Sequence, residues 1–284
     1  MNNKFLEYAK KITNNCETEG TAALNCAAPV IKVVPKPNNC SMKSYFESRG
    51  TRAVFAADTR FFEIFKDLSY EISIRFRNVY GVLNAMRRSI PNHEEFECDI
   101  SGLDEKGKED VKWLLQNFGM IGALVNYTFF DDCVKGMITP APAVISFVQG
   151  KFFEIYAYYE TKKIVEKMAS IHNCDYEIAH NVTIEIPDSD APVKGELDVV
   201  FRLGDKLFWI EAKSNRQISY YGKYYEIGKM IGVIPDRHIL LMGDTSEVNT
   251  AAVESLLRYY IASPSNFAGK LEYMINMAYS NKKR

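Results

Sequence analysis

Residues 195–213 read GELDVVFRLGDKLFWIEAK, and the way this stretch folds decides the fold of the C-terminal half. Leu197, Val199 and Phe201 form one apolar run, and Phe208, Ile210 and Ala212 form a second. Each alternates with other residues at the period of a strand. Gly204-Asp205 between them suits a two-residue hairpin loop, because glycine reaches positive φ without steric cost. That loop sets Leu203 against Lys206. Counting back along the register puts Asp198 opposite Glu211 and Glu196 opposite Lys213.

Directly opposed residues on one face of a sheet have Cβ atoms about 4.5–5.5 Å apart, and like charges so placed repel. A strand pair built for stability alone would not oppose Asp198 to Glu211. A divalent cation between them removes the conflict, and hard carboxylate oxygens are what Mg²⁺ or Mn²⁺ prefers. Lys213 lies two residues from Glu211 and so points to the same face. Acid, acid and lysine on one spot are the equipment for metal-assisted attack of water on a phosphodiester. The plainer reading of the same residues is a surface hairpin with a cross-strand Glu196–Lys213 pair.

Asp198 followed by Glu211-Ala212-Lys213 resembles the D…(D/E)-x-K signature of the PD-(D/E)xK phosphodiesterase superfamily, with Leu197 where the first motif usually has proline. The resemblance implies that Asp198, Glu211 and Lys213 are catalytic. It also implies that Asp198, Glu211 and the Ala212 carbonyl hold Mg²⁺ or Mn²⁺. Upstream, the run from Phe147 through Gly150 to Phe152, Phe153 and Glu154 is similar to the G-x-W-L-E opening of one branch, the CRISPR ancillary nucleases fused to a CARF sensor of cyclic oligoadenylate. Phe stands here for both Trp and Leu. The likeness offers Glu154 as a third metal-binding acid, with Glu160 as the fallback. It covers residues 150–244, leaving the first hundred residues outside it.

Working outward, Phe147–Ser170 has the apolar stripe of a helix, and Glu177–Ile186 alternates as a strand. Helical spacing recurs over Ser219–Ile231, stopped by Gly232, with Lys223 or Tyr224 in reach of a scissile phosphate. His238–Met242 reads as a strand, with His238 near the sheet edge. Helices are predicted over Glu247–Ile261 and Ser265–Ser280. Residues 104–146 form a connector: a helix from Asp104 to Asn117 ended by Gly119, then a hairpin of Ile121–Phe129 with Val134–Ile138, a winged element in outline. In residues 1–103, helices are predicted at Asn3–Asn14 and Ser41–Arg49, a strand at Val30–Val34, and a helix from Val79 to Ile90. Phe61–Leu68 suits a helix, while Tyr70, Ile72, Ile74 and Phe76 alternate as a strand. The fold class is therefore α/β: a restriction-endonuclease-like mixed sheet flanked by helices over 147–284, preceded by an α+β N-terminal domain over 1–103.

Composition bounds the rest. The 284 residues are 47% hydrophobic and 25% charged, which is globular, and the net charge of -1 argues against gripping nucleic acid by bulk charge. Six scattered cysteines without a C-x-x-C pair suit free thiols in a reducing cytoplasm. His172, Cys174 and His180 fit no common zinc spacing. No apolar run approaches the roughly 20 residues of a membrane span. No phosphate-binding glycine loop supports nucleotide hydrolysis. These observations point to a metal-dependent nuclease acting on DNA and/or RNA, associated through the resemblance with antiviral CRISPR defence, a homodimer, and a cyclic oligoadenylate activator. The alternatives are a catalytically idle nucleic-acid-binding protein on a nuclease-like scaffold, and a DNA repair or restriction endonuclease.

Overall fold

The computed structural model describes residues 41–56, 60–186, 193–214, 221–233, 235–245, 250–257 and 259–280. The helix at Asn3–Asn14 and the strand at Val30–Val34 lie outside these. In chain order the strands are β1 (Arg52–Val54), β2 (Phe96–Asp99), β3 (Leu124–Phe129), β4 (Cys133–Ile138), β5 (Tyr176–Ile186), β6 (Val193–Leu203), β7 (Lys206–Lys213), β8 (His238–Met242) and β9 (Tyr260–Ala262). The described residues fall into two units, one over 67–152 and the other over 41–66 with 153–280.

The first unit holds a three-stranded antiparallel sheet in the order β2-β4-β3. Because β2 pairs with β4, Phe96 against Gly136, the expected boundary at residue 103 lies inside this sheet. The helix Glu105–Met120 starts where the Asp104 carboxylate accepts the Gly107 N–H at 2.7 Å, satisfying one of the free amides of the first turn. It buries Val111, Leu114, Leu115 and Phe118, one face at helical spacing. It runs through Gly119, the residue predicted to end it. Gly119 is there for room: a Cβ would lie 2.9 Å from the Tyr127 ring. The turn comes at Gly122, with φ of 70°.

Residues 70–76 are not a strand. They belong to two helices, Arg60–Ile74 and Phe76–Ser89. The alternation of Tyr70, Ile72, Ile74 and Phe76 is a by-product of a helical stripe. Leu68, Ile72, Phe76, Val79 and Leu83 are buried, whereas Tyr70 and Ile74 face solvent. The spacing of three to four residues wins because it continues from Leu68 to Leu83.

The second unit is organised on a six-stranded mixed sheet in the order β1-β5-β6-β7-β8-β9. The pairs from β1 to β7 are antiparallel, and β7–β8 and β8–β9 are parallel. Helices flank it, so the mixed sheet flanked by helices predicted from sequence is the observed architecture. β7 and β8 are buried almost throughout, as central strands covered on both faces must be. A core of Val182, Ile184, Leu197, Val200, Leu207 and Trp209 is closed by Ile227 of the helix Tyr221–Met230, by Ile231 just beyond that helix, and by Phe46 of the helix Met42–Glu47.

Two expected elements differ. The helix predicted from Phe147 begins at Phe152 and runs to His172, after an irregular turn in which Gly150 has φ of 147°. The helix predicted over Glu247–Ile261 stops at Leu257, and Tyr260–Ala262 adds an edge strand beside β8. Pairing with Ile239–Leu241 offers Ile261 and Ala262 full burial, which a continued helix would not.

Candidate active site

The hairpin of β6 and β7 turns at Gly204-Asp205, and Leu203 pairs with Lys206 as predicted. Gly204 is required twice over. Its φ is 56°, and a Cβ would lie 2.8 Å from the Tyr279 hydroxyl, which itself donates to the Leu203 carbonyl at 2.6 Å. The ladder runs back to Val199 against Ile210, and the same register carries Asp198 to Glu211.

At that point the Asp198 side chain takes part in the pairing: its Oδ2 accepts the Ala212 backbone N–H at 2.8 Å. Lys213 Nζ stands 2.6 Å from Glu211 Oε1 and 3.6 Å from Asp198 Oδ2. Glu196, the partner in the plainer reading, is exposed, and Lys213 turns to the two acids. Asp198 and Glu211 are both buried, at 6% and 3% exposure, in a sheet centre where charge is costly. The lysine balances one carboxylate of two.

The electrostatics follow. Burial, reinforced by the Asp198 charge, pushes the Glu211 carboxyl well above the usual carboxylate range, against the pull of Lys213 and Tyr224. Burial lowers the Lys213 ammonium, but Asp198 and Glu211 outweigh it and hold the group charged. The Tyr224 phenol is pushed up to about 12 by burial and by Glu211, so it stays neutral. Its ring centre lies 5.8 Å from Lys213 Nζ. Of the two residues predicted from this helix, Tyr224 faces the site, while Lys223 is exposed.

Beneath the acids lies an aromatic floor. Trp209 stacks on His238 at 4.1 Å between ring centres, and Tyr224 meets Trp209 edge-on at 5.8 Å. His238 is buried at the start of β8, one strand in from the sheet edge. The edge is taken by β9, whose strand the sequence reading lacked.

Glu211 Oε2 is buried and makes no hydrogen bond. An orphaned carboxylate oxygen beside a second carboxylate suits a hard cation as donor set. Asp198 and Glu211 would supply two carboxylates of such a set. Glu154 lies half-buried in the first turn of the helix Phe152–His172. It does not complete a cluster: among the described residues no group of three or more His, Cys, Asp and Glu side chains is placed to hold a metal ion. The same holds for His172, Cys174 and His180. His172 stacks on Tyr279, and His180 stacks on Phe62.

One residue in the neighbourhood went unread in the sequence. Asn181 of β5 has a left-handed backbone, φ 49°, in mid-strand. The pairs His180–Val199 and Val182–Leu197 flank it, so its register partner is Asp198. An asparagine in the middle of a predicted strand was the available signal.

No family model matches the chain, and no curated protein matches it in sequence. Solved structures do match in shape. Protein VC1899 from Vibrio cholerae aligns with a TM-score of 0.57 at 16% identity, over 82% of this chain and 60% of that one. Can2 from Sulfobacillus thermosulfidooxidans, solved in complex with cyclic tetra-adenylate, aligns with a TM-score of 0.56 at 18% identity, over 83% of this chain and 61% of that one. The fold is Can2-like. At these identities the likeness is one of fold, and the chain spans about three fifths of the length of Can2 and of VC1899. Among the described residues no helix is long and apolar enough to cross a membrane.

Proposed function

We propose that the chain is a metal-dependent nuclease of the PD-(D/E)xK type that hydrolyses phosphodiester bonds of DNA and/or RNA. The observation that carries this reading is the buried opposition of Asp198 and Glu211 with Lys213 on the same face and Glu211 Oε2 left without a donor. Asp198 and Glu211 would hold Mg²⁺ or Mn²⁺, with the Ala212 carbonyl. A cation there supplies charge neutralisation and lowers the pKa of attacking water. Asp198 is fixed in orientation by the Ala212 N–H. Lys213, permanently charged between its two acids, donates to the non-bridging oxygens of the phosphate and offsets the charge that grows on them. Positioning and charge neutralisation are what phosphoryl transfer chiefly asks of a protein. Tyr224 closes one side of the site and keeps its proton.

The likeness of fold to Can2 supports CRISPR-associated defence as the setting. The cyclic tetra-adenylate in that structure supports a cyclic oligoadenylate as activator here. A homodimer pairing two active sites on one substrate completes the proposal.

The test is cleavage of single-stranded and duplex DNA and RNA with Mn²⁺, with Mg²⁺ and with EDTA, for wild type beside Glu211→Ala. Cleavage that needs metal and vanishes in the variant is the expected outcome. Absence of cleavage in every arm, repeated with cyclic oligoadenylates and with metal binding also absent by titration, would establish the idle nucleic-acid-binding scaffold instead.

A further inference from the structure

We infer that the outer edge of β3 is the surface through which two copies of this chain pair, antiparallel about a two-fold axis at Thr128. The inference rests on the homodimer proposed above and not on its chemistry. Three observations carry it.

The first is an edge without protection. The order β2-β4-β3 leaves β3 with one edge that no strand takes among the described residues. Natural edge strands are kept short or carry charge, which blocks pairing with another chain. The other edge strands here follow that rule. β1 and β9 are three residues long, and β2 carries Glu97 and Asp99. β3 has six residues, and the chain has no charged side chain from Ile121 to Phe130. Met120, Val125, Tyr127 and Phe130, on this strand or beside it, are large apolar residues exposed to solvent. A bulge lies at the start of the strand, between Leu124 and Asn126, and leaves the remainder in regular register.

The second is where the backbone points. Phe130 donates its N–H to the Cys133 carbonyl at 2.9 Å. Along an antiparallel pair, residues that bond to the neighbouring strand alternate with residues that do not. Thr128 lies against Lys135 and Asn126 against Met137, in step with Phe130. The N–H and C=O groups of Tyr127 and Phe129 therefore point away from β4.

The third is self-complementarity, which selects the occupant. A two-fold axis at Thr128 sets Tyr127 against Phe129 of the second copy, and Phe129 against Tyr127 of the second copy. Those two pairs satisfy every outward backbone group of both residues. The same register sets Thr128 against Thr128 of the second copy. Aromatic pairs and Thr–Thr pairs are among those that stabilise opposed strands. A two-fold axis also sets like against like, so a charge near it would repel its own image, and β3 has none. A partner selected by charge finds nothing to read on this edge. One strand edge with a few side chains falls at the small end of interface sizes, so a micromolar dissociation constant is expected.

The experiment is sedimentation velocity on the full chain at about 1–200 µM, which brackets that affinity. Wild type is compared with Thr128→Lys, with Thr128→Glu and with an equimolar mixture of the two variants. Thr128 is exposed, so both variants are expected to fold, which circular dichroism checks. Each variant alone is expected to weaken the dimer at least about tenfold, because like charges then stand directly opposite. The mixture is expected to return to within about threefold of wild type, because Lys then faces Glu. In wild type, the Tyr127 and Phe129 amides are expected to exchange more slowly as concentration rises, a readout that needs no variant. A dimer that both variants leave unchanged would overturn the inference and leave the homodimer standing on another surface. A mixture as weak as its components would overturn it too. A wild type that stays monomeric would overturn both, and protection of Tyr127 and Phe129 at every concentration would then assign the edge to another part of the chain. None of these readouts uses cleavage or metal, so failure of the nuclease reading remains separate.

Discussion

At the scale of residues, the site is built against stability. Two buried carboxylates share one lysine, and a buried oxygen of Glu211 has no donor. Glu211→Gln removes the ionisable carboxyl at nearly constant volume while Lys213 keeps Asp198 at 3.6 Å. Hydrolysis is expected to fall at least about 10²-fold, as when a charge-stabilising group is removed from an active site. Stability is expected to hold or rise, by up to about 1 kcal/mol, because no second carboxylate can then ionise beside Asp198. A large drop in midpoint would instead mark the Glu211–Lys213 pair as structural, since breaking a needed buried pair costs roughly 3–5 kcal/mol. His238 makes the pH prediction. Burial pushes its imidazole down to about 3, from an ordinary 6.5. A depressed folded pKa stabilises above the unfolded value and loses that stability as pH falls toward the folded one. Denaturation between pH 6.5 and 3 is therefore expected to steepen by up to about 1.4 kcal/mol per pH unit. His238→Phe keeps a ring against Trp209, and in equilibrium unfolding it should flatten that acid limb.

At the scale of elements, the turn is the part that fixed the rest. Gly204→Ala adds a Cβ at positive φ and 2.8 Å from the Tyr279 hydroxyl. A loss of about 1–3 kcal/mol is expected in urea unfolding, with the hairpin amides of β6 and β7 losing protection first. Substitution of the neighbouring exposed Asp205 by Ala should cost less than about 0.5 kcal/mol and serves as the comparison. This dependence on one turn explains what was legible in the sequence. A two-residue loop leaves only one register, so the approach of Asp198 to Glu211 could be counted from Gly204. Where no turn fixed the count, periodicity misled. Tyr70, Ile72, Ile74 and Phe76 satisfy a strand period while Ile72 and Phe76 also belong to a helical stripe, and only burial from Leu68 to Leu83 decides. Tyr260–Ala262 read as the tail of a helix because the partner that makes it a strand, β8, lies some twenty residues earlier in sequence. Glu154 was placed by likeness of a short motif, which does not carry the direction of a helix that starts only at Phe152. Asn181 showed in the sequence only as an asparagine within a strand, and its left-handed backbone is not something periodicity carries.

At the scale of the whole molecule, the chain is near neutral, with a net charge of -1, and folds as two units with separate sheets. Under the proposed function, neutrality argues that nucleic acid would be held by the site and a cation there, not by a broad basic surface. Few phosphate contacts release few counterions, so binding should weaken only slightly with added salt. Two units also depart from the all-or-none unfolding of a small single domain, and calorimetry should resolve more than one transition. Under the proposed function, the unit that carries Asp198 and Glu211 is the one expected to respond to a divalent ion. Saturating Mn²⁺ at about 100 times its dissociation constant contributes about 2.7 kcal/mol to the state that binds it. For a unit of about 150 residues that is an upward shift of several degrees, at roughly 2–4 °C per kcal/mol. The expected result is one transition that moves with Mn²⁺ and another that does not, with the movement abolished in Asp198→Ala. If both transitions moved equally in that variant, the ion would be acting on the surface at large, and the carboxylate pair would lose its claim to be the place where it binds.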